Sequence, residues 1–126
     1  MEKKKIVLVD DNPDFTYLLK KNFKRFDEKY EFTCVNSGKE CFELLEKNMI
    51  PDLILLDIMM PEMNGWDILV KLRTEQSWEK IPVIFITAKT DDASKGFGVL
   101  TSDGYITKPF RLEDLNNKIG SFFKEG

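Results

Sequence analysis

Residues 52–65 read Asp-Leu-Ile-Leu-Leu-Asp-Ile-Met-Met-Pro-Glu-Met-Asn-Gly: an unbroken apolar run over 53–56, a lone carboxylate at Asp57, then a turn marked by Pro61 and Gly65. A continuous apolar run, as opposed to an alternating one, is the pattern of a strand buried on both faces. Such strands belong to parallel sheets with helices covering both sides. Taken alone, the acid at the end of the run needs no explanation beyond solvent, because the turn after it runs over the surface. The rest of the chain decides whether Asp57 is more than a strand end.

Toward the N-terminus, residues 6–9 (Ile-Val-Leu-Val) form a second such run, and it too closes on acids, Asp10 and Asp11. Asn12-Pro13 supplies a cap and a first-turn proline for a helix whose Phe15, Leu18, Leu19, Phe23 and Phe26 follow helical spacing on one face. Residues 31–35 read as a strand. Ser37 and Glu40 then form the Ser-x-x-Glu capping box of a second helix, with Cys41, Leu44 and Leu45 inward. Toward the C-terminus, Gly65 opens a third helix with Trp66, Leu69 and Leu72 on its core stripe. Residues 82–86 make a fourth strand, since proline is tolerated at a strand's first position, and residues 105–107 a short fifth. The closing helix carries Leu112, Leu115, Ile119 and Phe122 at spacings of three and four. Between the last two strands, 93–100 is the weakest helical segment, because Gly96 and Gly98 each cost about 1 kcal/mol relative to alanine. Strands alternating with helices imply an α/β fold, a doubly wound five-stranded parallel sheet. One domain over residues 1–126 is expected, with Glu125-Gly126 either native or added by cloning.

Composition removes whole classes of function. The chain has 126 residues, 22 acids against 19 bases, a formal charge of −3 and no histidine. Scattered basic residues argue against direct nucleic-acid binding, which concentrates positive charge. The absence of histidine removes Ser-His-Asp and Cys-His catalysis and any phosphohistidine carrier role. Cys34 and Cys41 sit in apolar patterns and read as reduced, buried thiols, which fits a cytoplasmic protein. The basic start, Lys3-Lys4-Lys5, leads into too short an apolar run for a signal segment or membrane span, so no membrane association is expected.

In a parallel α/β sheet, ligands bind outside the carboxyl ends of the strands, so those ends are read together. Asp10 and Asp11 follow the first strand, Asp57 the third, Thr87 the fourth, and Lys108-Pro109 the fifth. Three gathered acids raise one another's proton affinity unless a cation neutralises them. Mg²⁺, which favours oxygen ligands and keeps several waters, suits one or two carboxylates better than Ca²⁺ does. Lys108 then offers a compact positive charge to a phosphoryl oxygen, and one Asp a nucleophile.

Asp10-Asp11, Asp57 with its Met-Met-Pro-Glu-Met-Asn-Gly tail, Thr87-Ala88, and Tyr105-Ile-Thr-Lys-Pro-Phe110 occur in the order and spacing of one family. Over essentially its whole length the chain resembles the receiver domain of two-component response regulators, the CheY-like family. The resemblance implies a flavodoxin-like sheet of strand order 2-1-3-4-5 and Asp57 as phosphoacceptor. It implies Mg²⁺ held by Asp11, Asp57 and the backbone carbonyl of Met59, with Asp10 assisting through water. Lys108 would contact the phosphoryl group and precede a cis bond to Pro109, while Thr87, Ala88 and Tyr105 form the phosphoryl-contact and switch set. The implied partners are a sensor histidine kinase or histidine phosphotransfer protein, and a downstream effector on the face of the fourth helix, fifth strand and fifth helix. Phe97 and Phe110 could contribute to that face, and a homodimer could form through it. The protein would be a signalling switch that assists its own phosphorylation and dephosphorylation.

The family commonly has Gly-Ala where this chain has Thr101-Ser102. A β-branched residue there disfavours a left-handed helix end, so 93–100 is expected to be loosely held until a partner or phosphoryl group orders it. Lys89 reads first as a solvated loop lysine and second as a modulator of water access. Three other functions compete. A small phosphatase with an aspartyl intermediate lacks a second acid two residues after Asp57. A flavin or nucleotide binder would face the repulsion of Asp10, Asp11 and Asp14. An inactive receiver-like module is at odds with a complete set of acids, hydroxyl and lysine.

Overall fold

The computed structural model describes residues 3–26, 29–88 and 103–123. In chain order these form β1 (Lys4–Val9), α1 (Pro13–Phe26), β2 (Tyr30–Val35), α2 (Gly38–Glu46), β3 (Leu53–Asp57), α3 (Gly65–Thr74), β4 (Val83–Ala88), β5 (Gly104–Lys108) and α4 (Leu112–Phe123). The expected helix over 93–100, with Gly96, Phe97 and Gly98, lies outside the described residues, as do Lys89 and Thr101.

All strand pairs are parallel and the order is β2-β1-β3-β4-β5, as the alternating pattern of strands and helices and the resemblance together predict. β3 is central and each of its five residues is buried. Burying a Leu or Ile side chain contributes roughly 1.5–3 kcal/mol, which is why an uninterrupted apolar run is stable in a strand covered on both faces. Successive side chains alternate between two cores. Val7, Val9, Ile54, Leu56, Val83 and Phe85 pack with α2 and α3 residues such as Cys41, Leu45, Ile68 and Leu72. Ile6, Leu8, Leu53, Leu55, Ile84 and Ile86 pack on the opposite face with Leu19 and Phe23 of α1 and Leu115 and Ile119 of α4. Cys34 packs on the second face and Cys41 in the first core, so the sheet separates them, and both are free thiols. Cys34 is only half-buried, a departure from the expected pair of buried thiols.

Local signals explain the helix starts. Asn12 Oδ1 accepts from the N–H groups of Asp14 and Phe15 at 3.0 and 3.1 Å, capping α1 ahead of Pro13. Ser37 Oγ accepts from Glu40 N–H at 3.1 Å, but Glu40 Oε1 takes the N–H of Asn36, at 2.6 Å, so the reciprocal leg of the box reaches one residue further back. Asn64 and Asp67 form a full capping box on α3. The stripe expected on α1 needs one correction among its described side chains, which exclude that of Phe26. Leu19 and Phe23 are buried, whereas Leu18 is half exposed. Leu18 is three residues beyond Phe15, at the margin of the stripe, and lines a surface groove with Phe110 and Leu112 instead.

Arg73 on α3 closes the end of the sheet at which β4 and β5 start. It donates to the carbonyls of Glu79 and Ile81 and to Asp103 Oδ2, at 3.2, 2.9 and 3.1 Å. Asp103 also accepts from Val83 N–H at 2.8 Å through Oδ2 and donates its own N–H to Val83 O at 2.8 Å. The start of β5 is thereby fixed to the start of β4.

Gly65 permits a close approach of backbone to backbone. Its N–H donates to Ile58 O at 2.8 Å, and a Cβ there would come within 2.6 Å of the Asp57 carbonyl oxygen and 2.9 Å of Ile58 Cα. Both obstacles are backbone, so neither can rotate away. Gly65→Ala is expected to lower stability by about 1–3 kcal/mol, the usual range for overpacking, read as a reduced urea midpoint with an unchanged slope. An unshifted midpoint would show that α3 can slide outward at no cost.

Candidate functional site

Residue alternation along the strands delivers the charged groups to one place. Val9 pairs with Leu56 and Asp57 with Ile86, so Asp10 and Asp57 leave adjacent strands side by side. In the period-two pattern they follow Leu8 and Leu55, on the α1–α4 side of the sheet. Ala88 pairs with Lys108 at the matching end of β4 and β5. Carboxylate oxygens of Asp10, Asp11 and Asp57 all lie within 4.8 Å of one another, with Asp10 and Asp57 buried and Asp11 exposed.

Asp10 is 1% exposed and fully engaged. Its Oδ2 accepts from Lys108 Nζ at 2.9 Å and its Oδ1 from Asn12 N–H at 3.0 Å. Asn36, at the end of β2, donates Nδ2 to the Asp10 carbonyl oxygen at 2.8 Å and to Thr16 Oγ1 at 3.3 Å, tying the loop after β1 to the neighbouring strand. Lys108 Nζ also lies 4.3 Å from the centroid of the Phe15 ring, and the Lys108-Pro109 peptide is cis. Asn36 and Phe15 were not singled out as site residues in the sequence. An asparagine closing β2 at the same rim was the available signal for the first, and nothing in spacing pointed to the second.

Asp57 has the altered electrostatics. Burial pushes its carboxyl up to about 7, the negative charge of Asp10 adds to the rise and that of Asp11 adds less, while Lys108 and the N–H of Met59 oppose it. Lys108 bonds directly to Asp10 and acts on Asp57 by its charge alone, so among the described residues no cation is hydrogen-bonded to the central acid. Three oxygen donors, one reachable from solvent, fit a hard divalent cation, and a backbone carbonyl on the loop after β3 is a ligand of the same hardness. The methionines of that loop divide as packing requires. Met60 is core, Met63 lies where a Cβ on Gly38 would point, and Met59 is 64% exposed.

Thr87 and Tyr105 fall on the other face. Thr87 is buried and its hydroxyl donates to the Ala88 carbonyl oxygen at 3.2 Å. Tyr105 pairs with Phe85 in register and packs into the α2–α3 core, where Trp66 lies 4.8 Å from Phe85 by ring centroids. The acids and Lys108 are therefore joined directly, whereas the expected switch pair adjoins them through β4 and β5.

A family model described as the response regulator receiver domain matches residues 6–120. The transcriptional regulatory protein CrdR of Helicobacter pylori is 38% identical over 97% of this chain and 56% of its own length. The response regulator SaeR of Staphylococcus aureus is 35% identical over 92% of this chain and 49% of its own length. The chain thus spans about half the length of these curated relatives. A CheY-like receiver domain protein from Methanospirillum hungatei superposes with a TM-score of 0.79 at 32% identity, covering 96% of this chain and 94% of that one. The receiver domain of a signal transduction histidine kinase from Syntrophus aciditrophicus gives 0.82 at 28% identity, covering 98% and 94%.

The Asp57 shift sets the pH dependence of the metal-free protein. Below the unfolded carboxylate's pKa, near 4, Asp57 is protonated in both states. From there to about 7 the native chain holds the extra proton, so stability falls as pH rises, and above 7 the full penalty applies. With chelator present, the urea midpoint is expected to fall between pH 5 and pH 8, and Asp57→Asn to flatten that slope and unfold later than the parent at pH 8. A parent profile rising over this window would contradict the assignment.

Proposed function

The chain belongs to the response regulator receiver family, whose role is to accept a phosphoryl group in two-component signalling, and from that premise we propose that Asp57 is its phosphoacceptor. The observation that carries the reading is the gathering of Asp10, Asp11 and Asp57 within 4.8 Å, with Lys108 bonded into the group.

A carboxylate oxygen of Asp57 attacks the phosphorus of a partner's phosphohistidine. The new O–P bond forms as the N–P bond breaks, and the electron pair returns to the imidazole nitrogen. For this the carboxylate must be unprotonated, and its raised proton affinity means that a free Asp57 is only partly so near neutrality. Asp11, Asp57 and the Met59 carbonyl would hold Mg²⁺, with Asp10 assisting through water. Bound there, the ion supplies fixed positive charge to the oxygens of the transferring group. Lys108 turns from Asp10 toward a phosphoryl oxygen and supplies a second positive charge. The Thr87 hydroxyl and the Ala88 backbone take a third oxygen, and Tyr105 shifts behind Thr87.

Such a switch needs joint action. Moving a two-state population from 1:99 to 99:1 takes roughly 5.5 kcal/mol of differential binding, more than one hydrogen bond supplies. Metal, Lys108 and Thr87 must therefore act jointly. The partners proposed are a sensor histidine kinase or histidine phosphotransfer protein as donor, and an effector or a second copy reading the face that includes β5 and α4. The setting proposed is the cytoplasm. Among the described residues no helix is long and apolar enough to cross a membrane. Hydrolysis of the aspartyl phosphate, assisted by the same site, returns the protein to its starting state.

Intact mass after incubation with acetyl phosphate tests the reading. A gain of one phosphoryl group that requires Mg²⁺ and disappears in Asp57→Asn is expected. A gain that persists in Asp57→Asn would move the acceptor elsewhere, and no gain from acetyl phosphate or from a phosphohistidine donor would remove the reading.

A further inference from the structure

Lys108 is held by two groups of different character. Asp10 Oδ2 lies 2.9 Å from Nζ, and the centroid of the Phe15 ring 4.3 Å away. The first is a directed bond to one oxygen. The second is attraction to a whole ring face, effective to about 6 Å from the centroid. Phe15 is held at two points: its backbone N–H donates to Asn12 Oδ1 at 3.1 Å, and Phe110 meets its ring edge-on at a centroid distance of 6.4 Å. Phe110 stands two residues beyond Lys108, so the turn that carries the lysine also braces the surface on which its ammonium rests. Asn12 stands two residues beyond Asp10 and donates its own N–H to that acid. The ring is thus tied to the loops after β1 and β5, the two that bring acid and amine together.

If Lys108 is to serve a phosphoryl group on Asp57, it must leave Asp10 Oδ2 for a new oxygen. An ammonium carries three donors and can turn among acceptors, but a free lysine stem has many rotamers and loses that freedom when fixed. A ring face under the nitrogen restricts the stem without dictating which oxygen the nitrogen meets. Building on the reading of Asp57 as phosphoacceptor, we infer that Phe15 is a positioning residue for Lys108. Its ring keeps the ammonium over the acidic rim while Lys108 exchanges Asp10 for the phosphoryl oxygen.

Phe15 also packs against the α1–α4 core, so the test must separate a ring face from mere bulk. Phe15→Leu retains an apolar side chain without a face, and Phe15→Tyr retains the face. The probe is fluoroberyllate, a phosphoryl mimic, titrated in the presence of Mg²⁺ by fluorine NMR, beside Mg²⁺ alone. The expected result is a two- to five-fold weaker affinity for fluoroberyllate in Phe15→Leu, the range of a partly exposed cation–π contact. Phe15→Tyr should remain at the parent value, and Mg²⁺ affinity should be unchanged in both. Equal fluoroberyllate affinity in parent and Phe15→Leu, or an equal loss in Phe15→Tyr, overturns the inference. A parent that binds Mg²⁺ but no fluoroberyllate overturns the phosphoacceptor reading instead. In that case the ring contact is judged separately, by the Lys108 Hε resonances of the metal-free protein. They should lie upfield in the parent and Phe15→Tyr and return to ordinary values in Phe15→Leu; unchanged positions would refute the contact. Phe15→Met serves in place of Phe15→Leu should the latter fail to fold.

Discussion

Negative charge confined at the end of a buried sheet is the constraint around which the remaining features are arranged. Like-charged carboxylates held within a few ångströms repel, and withdrawing them from water makes the repulsion worse. The fold holds them there through rigid strands in fixed register, with Asn36 securing the loop after β1 and Gly65 letting α3 press against the end of β3. Lys108 answers part of the charge by reaching from β5 to Asp10 just after β1, past two intervening strands. Burial, added to by the charge of Asp10, makes Asp57 hold its proton more tightly. A site that keeps a proton in the absence of a metal is one that a divalent cation can occupy by displacing it.

Strand alternation divides the labour between the two faces of the sheet. Asp10, Asp57 and Lys108 continue the face covered by α1 and α4, while Phe85 and Tyr105 belong to the face covered by α2 and α3. Any influence of the acidic rim on Tyr105 therefore crosses at the ends of β4 and β5, where Thr87 and Ala88 pair with Thr107 and Lys108. At the other end of the same strands, Arg73 and Asp103 hold the start of β5 to the start of β4. The pair of strands is anchored at one end and meets the acidic rim at the other.

Much of this was legible in the residue pattern. Continuous apolar runs identified the central strands, and Asn12-Pro13 and Ser37 marked helix starts. The acids and the lysine were found because strand ends in a parallel sheet share a rim. What escaped the sequence depends on contacts between distant segments. Leu18 obeys helical spacing yet stands half exposed, because spacing locates a stripe without its width. Phe42, stacked on Trp78, and Arg73, bonded to Asp103, gain their roles only when α2, α3 and the strand starts meet. Phe15 read as core from its spacing. Its second role, under a cation, depends on Lys108 nearly a hundred positions later.

The two tryptophans differ in a way that makes the protein its own optical gauge. Trp78 is buried and stacked on Phe42, at 5.5 Å between centroids, in a part of the core remote from the acidic rim. Trp66 is half-buried beside Phe85, whose register partner is Tyr105. Indole emission responds to the polarity and packing around the ring, so a displacement of Tyr105 would alter the light from Trp66 and leave that from Trp78 as an internal reference. Such a displacement would be readable without attaching any dye.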